Sequence, residues 1–104
     1  MLINYKISPH LANDRAERIA YIGTTVGFGD VKYIFPVGER YEAITSTGVL
    51  IILGADKVTI ITMYLMNITR AKAIFSANNF DRIPPTINKI IMKNIQTGIW
   101  ENCP

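Results

Sequence analysis

Five side chains in this sequence carry chemistry that could be joined in one place. They are His10, Arg15 and Arg18 near the N-terminus, and Thr62 and Tyr64 in the middle of the chain. Histidine titrates near neutrality and can act as general acid or base. Arginine stays charged and can grip a phosphate with two parallel hydrogen bonds. Threonine and tyrosine hydroxyls can donate to a phosphoryl oxygen. Together these are parts for metal-free RNA cleavage, in which the ribose 2′-hydroxyl attacks the adjoining phosphate. Only RNA has that hydroxyl, so the chemistry would act on RNA and leave DNA intact.

Each residue also has a plainer explanation. His10 falls in the first turn of an expected helix, where a surface residue is ordinary. Asp14 and Arg18 follow it at i+4 and i+8, the spacing of a solvated ion-pair stripe. Thr62 and Tyr64 are good strand formers and suit any sheet surface. Arg15, on the flank of an apolar helix side, is the least ordinary of the five. Other chemistries fit less well. One histidine, one cysteine (Cys103) and scattered acids do not make a metal constellation, and no cofactor is called for. Cys103 lies in the tail, a poor platform for nucleophilic catalysis. The segment 23–30, GTTVGFGD, is glycine-rich but lacks the Gly-Lys-Ser/Thr ending of a phosphate loop, and reads as a connector.

The elements that must position these residues follow from periodicity and punctuation. Residues 1–7 alternate loosely and read as a short edge strand or an extended arm. Ser8-Pro9 is a helix start: Ser8 can cap free N–H groups, and Pro9 suits the first helical position. The helix runs from His10 to about Ile22, with Leu11, Ala12, Ala16, Ile19 and Ala20 on one broad side at about 100° per residue. Strands are expected at 31–36, 41–45, 49–53 and 58–66, joined by turns so short that they form an antiparallel meander. In the last strand Val58, Ile60, Thr62, Tyr64 and Met66 would point one way, and Thr59, Ile61, Met63 and Leu65 would pack under the helices. Asn67 can cap a helix over 68–75. Residues 76–82, SANNFDR, read as a loop, and Pro85 opens a last helix to Thr97, ended by Gly98. Its apolar side is Ile87, Ile90, Ile91 and Ile95, and Ile99-Trp100 folds back onto the core. The expected fold is a single α+β domain over 1–104: an N-terminal helix on a four-stranded antiparallel meander, then two C-terminal helices.

Composition sets the outer limits. With 104 residues, 49% hydrophobic, the chain can fill one core, and the apolar excess suggests a surface covered by a partner or a second copy. Eleven Lys and Arg against eight Asp and Glu, a net +3, permits contact with phosphates without demanding it. A lone cysteine makes no internal disulfide, no apolar run approaches the ~18 residues of a membrane span, and the first residues lack signal-peptide character. The expectation is an intracellular, cytoplasmic protein without a membrane partner.

The order of the pieces adds a resemblance. A leading helix with His10-LAND-Arg15-Ala-Glu-Arg18, then a four-stranded meander ending in Thr62-Met63-Tyr64, resembles the barnase–EndoU–colicin–RelE-like superfamily. That group holds small metal-independent RNases found as toxin–antitoxin components, bacteriocin tips and phage proteins. The likeness spans about residues 10–65. It implies a helical layer on an antiparallel sheet with the active cleft on the sheet's open face. His10 would be the acid/base, Arg15 and Arg18 the phosphate binders, Thr62 and Tyr64 the site hydroxyls. Partners implied are RNA and an antitoxin- or immunity-type protein. The sequence departs from the EndoU pattern of two histidines and a lysine, so a two-histidine relay is excluded.

The competing expectation is a non-catalytic interaction module. In that case the five residues scatter, and a patch including some of Val58, Ile60, Met66, Phe80 and Trp100 is buried in a homodimer or under a partner protein.

Overall fold

The computed structural model describes residues 4–101, 103 and 104, and of Asp14 only the backbone. In chain order the elements are β1 (Lys6–Ile7), α1 (Pro9–Asp14), α2 (Ala16–Thr25), β2 (Val31–Val37), β3 (Arg40–Thr45), β4 (Val49–Leu53), β5 (Thr59–Leu65), α3 (Ile68–Ala77) and α4 (Pro85–Gln96). The class is α+β as expected, but the sheet is five-stranded, ordered β1-β5-β4-β3-β2. The meander from β2 to β5 is antiparallel, and β1 adds to its end in parallel, Lys6 opposite Thr59 and Ile7 opposite Ile60. The sheet is therefore mixed rather than a four-stranded meander. Of the edge strand or arm expected over residues 1–7, residues 6 and 7 form an edge strand, and residues 1–3 lie outside the described residues.

The first helix is not continuous. Ser8 caps α1, its Oγ accepting from the Leu11 N–H at 3.2 Å, and Pro9 takes the first turn. At Arg15 the backbone leaves the helical region (φ −129°, ψ 23°), and α2 begins at Ala16. The break follows Asn13-Asp14, residue types whose short polar groups compete with the helical backbone. It also redistributes the apolar side: Leu11 and Ile22 are fully buried, Ile19 is half-buried, and Ala12, Ala16 and Ala20 face solvent.

A second departure lies in β5. Ile52 pairs with Thr62 but Leu53 pairs with Ile60, so Ile61 is an extra residue that breaks the alternation. Ile60, not Ile61, joins Met63 and Leu65 on the face under α1 and α2, with Leu11, Ile22, Val49, Ile51 and Leu53. Fully burying side chains of this size stabilises the fold by about 1.5–3 kcal/mol each.

The opposite face is also covered. Ile44, Leu50 and Met66 pack there under α3 and α4 with Ala71, Ile74, Phe75, Ile87 and Ile91. Asn67 caps α3 as expected, its Oδ1 accepting from the Arg70 N–H at 2.6 Å. Helices on both faces remove the open sheet face. Ile60 and Met66, expected to need a partner, are 0% and 1% exposed. In α4, Asn94 takes the buried place expected for Ile95, which is 43% exposed. Its Nδ2 donates to the Thr47 carbonyl at 2.9 Å and ties α4 to the β3–β4 turn. Ile99 and Trp100 fold back against the first core, and the Tyr21 hydroxyl donates to the Ile99 carbonyl.

Candidate functional site at the outer end of the last strand

The topology opens a place for chemistry at one end of β5. The short strand β1 covers the edge of β5 only at Thr59 and Ile60. Beyond them no strand among the described residues pairs with the outer edge, and α1 lies beside it. Thr62 and Tyr64 pair with Ile52 and Leu50, whose side chains pack in the second core, so both point to that face. They lie two residues apart on one side of the strand, as the alternation requires beyond the bulge. Thr62 is half-buried and Tyr64 is 42% exposed.

Arg18 reaches Tyr64 from the other layer. It sits in the first turn of α2, and its guanidinium carbon lies 5.4 Å from the centre of the Tyr64 ring, within cation–π range. Its Nε also donates to the Pro104 carbonyl at 3.2 Å. Arg15, at the helix break, lines an open cleft of about 360 Å³ together with Arg18, Asn13, Glu17 and Pro104. The two arginines therefore share one cleft, with the Glu17 carboxylate at its wall offsetting part of their charge. Tyr64 borders a second cleft of about 250 Å³ with Asn67, Arg70 and Trp100. The Arg18–Tyr64 contact stands between the two.

Four of the five residues thus fall around one end of β5: Arg18 touches Tyr64, Arg15 shares the cleft of Arg18, and Thr62 neighbours Tyr64 along the strand. His10 is placed differently. It is exposed in the first turn of α1 and lines neither cleft.

The second cleft brings in Arg70, which pattern reading did not single out, and through it Glu42. Arg70 stands in the first turn of α3, and its Nη2 donates to Glu42 Oε2 at 2.9 Å. Glu42 is only 7% exposed, so this cation compensates a carboxylate that is largely out of water. The Trp100 indole N–H is buried without a hydrogen-bond partner among the described residues. Asn67 was legible as a cap, and Arg70 follows from it: three residues past the cap, it must lie in the first helical turn beside the end of β5. Trp100 was expected to fold back onto the core and does so, but no signal in the sequence places it beside Tyr64 and Arg70.

Among the described residues no cluster of three or more His, Cys, Asp or Glu could hold a metal ion, and no helix is long and apolar enough to cross a membrane. Compared with known proteins, the chain matches no family model, no curated protein and no solved structure.

Proposed function

We propose that this protein is a small metal-independent ribonuclease of toxin or phage type, acting at the outer end of β5. The observation that carries the reading is the contact of Arg18 with the Tyr64 ring, which brings together a candidate phosphate binder and a candidate site tyrosine from separate layers. Arg18, standing between the two clefts, would grip the scissile phosphate where the Tyr64 and Thr62 hydroxyls can donate to its oxygens, and Arg15 would add charge from the cleft it shares with Arg18. In the reaction the 2′-oxygen bonds to phosphorus as the bond from phosphorus to the 5′-oxygen breaks. A base removes the 2′-hydroxyl proton, and an acid returns one to the departing 5′-oxygen. His10 is the one histidine of the set and would serve as that acid or base.

The test is cleavage of single-stranded RNA in EDTA by the wild type and by His10→Ala, Arg18→Ala and Tyr64→Phe. The expected product ends are 2′,3′-cyclic phosphates, with a loss of ~100-fold or more in the His10 variant. Tyr64→Phe keeps the ring under Arg18 and removes only the hydroxyl, so its loss reports chemistry rather than packing. Failure of the folded wild type to cleave any RNA would overturn the reading.

One observation favours the interaction module as a second reading. Among the described residues no strand pairs with the outer edge of β2, and Ile34 and Val37 on that strand are 40% and 49% exposed. An unpaired, partly apolar edge is a template for pairing with another chain, either an immunity-type protein or a second copy. Sedimentation distinguishes them: a monomer at high micromolar concentration removes the homodimer.

A further inference from the structure

An open cleft of about 550 Å³ lies between the end of α3 and the start of α4, and none of the five residues above borders it. Its wall is built by the way α3 ends. Asn78 caps the helix and Asn79 turns into the left-handed region at φ 68°. The Phe80 N–H then donates to the Phe75 carbonyl at 2.9 Å, and the Asn79 N–H to the Ser76 carbonyl at 3.2 Å. This is a Schellman ending, complete with its hydrophobic contact: the Phe80 and Phe75 ring centres are 5.0 Å apart at 70°. Phe80 also meets Tyr33 and Phe35 at 5.9 and 5.8 Å, so three rings hold it in place while it stays partly exposed.

Around this fixed ring stand Lys72, Arg82, Ser76 and Asn88. Lys72 and Arg82 form no salt bridge among the described residues, whereas Arg70, on the same helix as Lys72, is paired. Asp81 also borders the cleft, which leaves two cations against one carboxylate. The volume is that of an ordinary small-molecule site, and its composition is an apolar base with a few polar groups at the rim.

We propose that this cleft binds a nucleotide: its phosphate to Lys72 and Arg82, its base against Phe80, with Ser76 and Asn88 within the same walls to meet ribose or base edges. A bare anion would use the two cations but leave the aromatic wall idle, and a neutral aromatic molecule would leave the cations idle. A nucleotide uses both, since every base offers a face for stacking and every phosphate a charge for the pair. The same chemistry is offered by a free mononucleotide and by a nucleotide unit within RNA.

The experiment is titration of the full chain at low salt, followed by NMR or calorimetry, with AMP, inorganic phosphate, adenosine and a short oligoadenylate. AMP is expected to saturate with a Kd below about 1 mM, with phosphate and adenosine each weaker by at least ~10-fold. The Lys72→Ala/Arg82→Ala variant changes only exposed side chains, and it is expected to weaken AMP at least ~10-fold and to flatten its salt dependence. An oligoadenylate that binds more tightly than AMP and is weakened by the same variant would identify RNA as the source. Equal affinity would identify the free nucleotide. Absence of saturation with both AMP and the oligonucleotide, or binding that the double variant leaves unchanged, overturns the proposal. Because the cleft shares no residue with the Arg18–Tyr64 contact, this titration and the EDTA cleavage assay can fail independently.

Discussion

Arg18, in the helical layer on one side of the sheet, lies with its guanidinium 5.4 Å from the ring centre of Tyr64, which points to the other side. Such a contact needs a sheet edge that a side chain can round. The fold supplies one because β1 stops after Ile7, leaving the outer edge of β5 without a strand neighbour past Ile60 among the described residues. The shortness of β1 thus connects topology to the candidate site: two more paired residues would place a strand beside Thr62.

A double-mutant cycle on Arg18→Met and Tyr64→Leu is expected to return a coupling energy of about 0.5–1 kcal/mol, the range for a partly exposed cation–π pair. Urea denaturation of the four proteins at low salt gives the value. Tyr64→Phe should retain most of the coupling, since the ring face is what Arg18 meets. Zero coupling would mean that the two groups are neighbours without an energetic link.

Arg70 is expected to matter for stability more than its exposure suggests. It is about half exposed, but its partner Glu42 is not, and the two meet at 2.9 Å. Arg70→Met removes the cation and leaves a carboxylate largely out of water. The expected cost is about 1–3 kcal/mol, read as a lower denaturation midpoint with an unchanged slope. Combining it with Glu42→Gln should recover part of the loss, because the uncompensated charge is then gone.

The elements governed by local rules were legible in the sequence. Ser8, Asn67 and Pro85 mark helix starts, and the chain begins its helices there. The strands of the meander follow from β-branched runs between turns. Features that depend on partners distant in sequence were not. A period-two pattern puts Ile61 with Met63 and Leu65, and only the register against Ile52 and Leu53 shows that Ile60 takes that buried place. Asn94 and Ile95 reverse the usual ranking because the Thr47 carbonyl, far back in the chain, offers Asn94 a partner. Coverage of the second sheet face was missed for the same reason, since no local signal says to which face α3 and α4 return. For the candidate site, residue types and strand parity placed Thr62 and Tyr64 together. The meeting of Arg18 with Tyr64 depended on an edge that only the assembled sheet reveals.

The turn between β3 and β4 gives a sharper test of packing. Gly48 has φ +84°, and a Cβ there would lie 2.9 Å from Asn94 Nδ2. Gly48→Ala therefore combines a strained backbone with a clash against the side chain that ties α4 to this turn. It is expected to cost about 2 kcal/mol or more, against a gain of up to ~1 kcal/mol for the same substitution at a compatible position. Asn94→Ala in the same background should relieve the steric part and leave the backbone part. Thermal denaturation of the two single variants and the pair separates the terms.

Asp56 makes a prediction about pH. Its side chain accepts from the Thr59 hydroxyl at 2.6 Å and from the Thr59 and Val58 N–H groups at 2.8 and 2.9 Å. These bonds favour the ionised form, the Thr59 hydroxyl most, and lower its pKa from the ordinary value to about 2. A carboxyl whose pKa is depressed on folding stabilises the native state above its unfolded pKa, near 4 for Asp. That contribution is lost as pH falls from about 4 towards the folded value of about 2. The group is exposed and lies in the turn that registers β4 on β5, so the expected effect is a modest acid-side slope rather than collapse. Thermal midpoints measured from pH 5 to pH 2 should fall less steeply for Asp56→Asn than for the wild type, because asparagine keeps an acceptor oxygen but has no proton to take up. The same slope in both proteins would assign the acid sensitivity to other carboxylates.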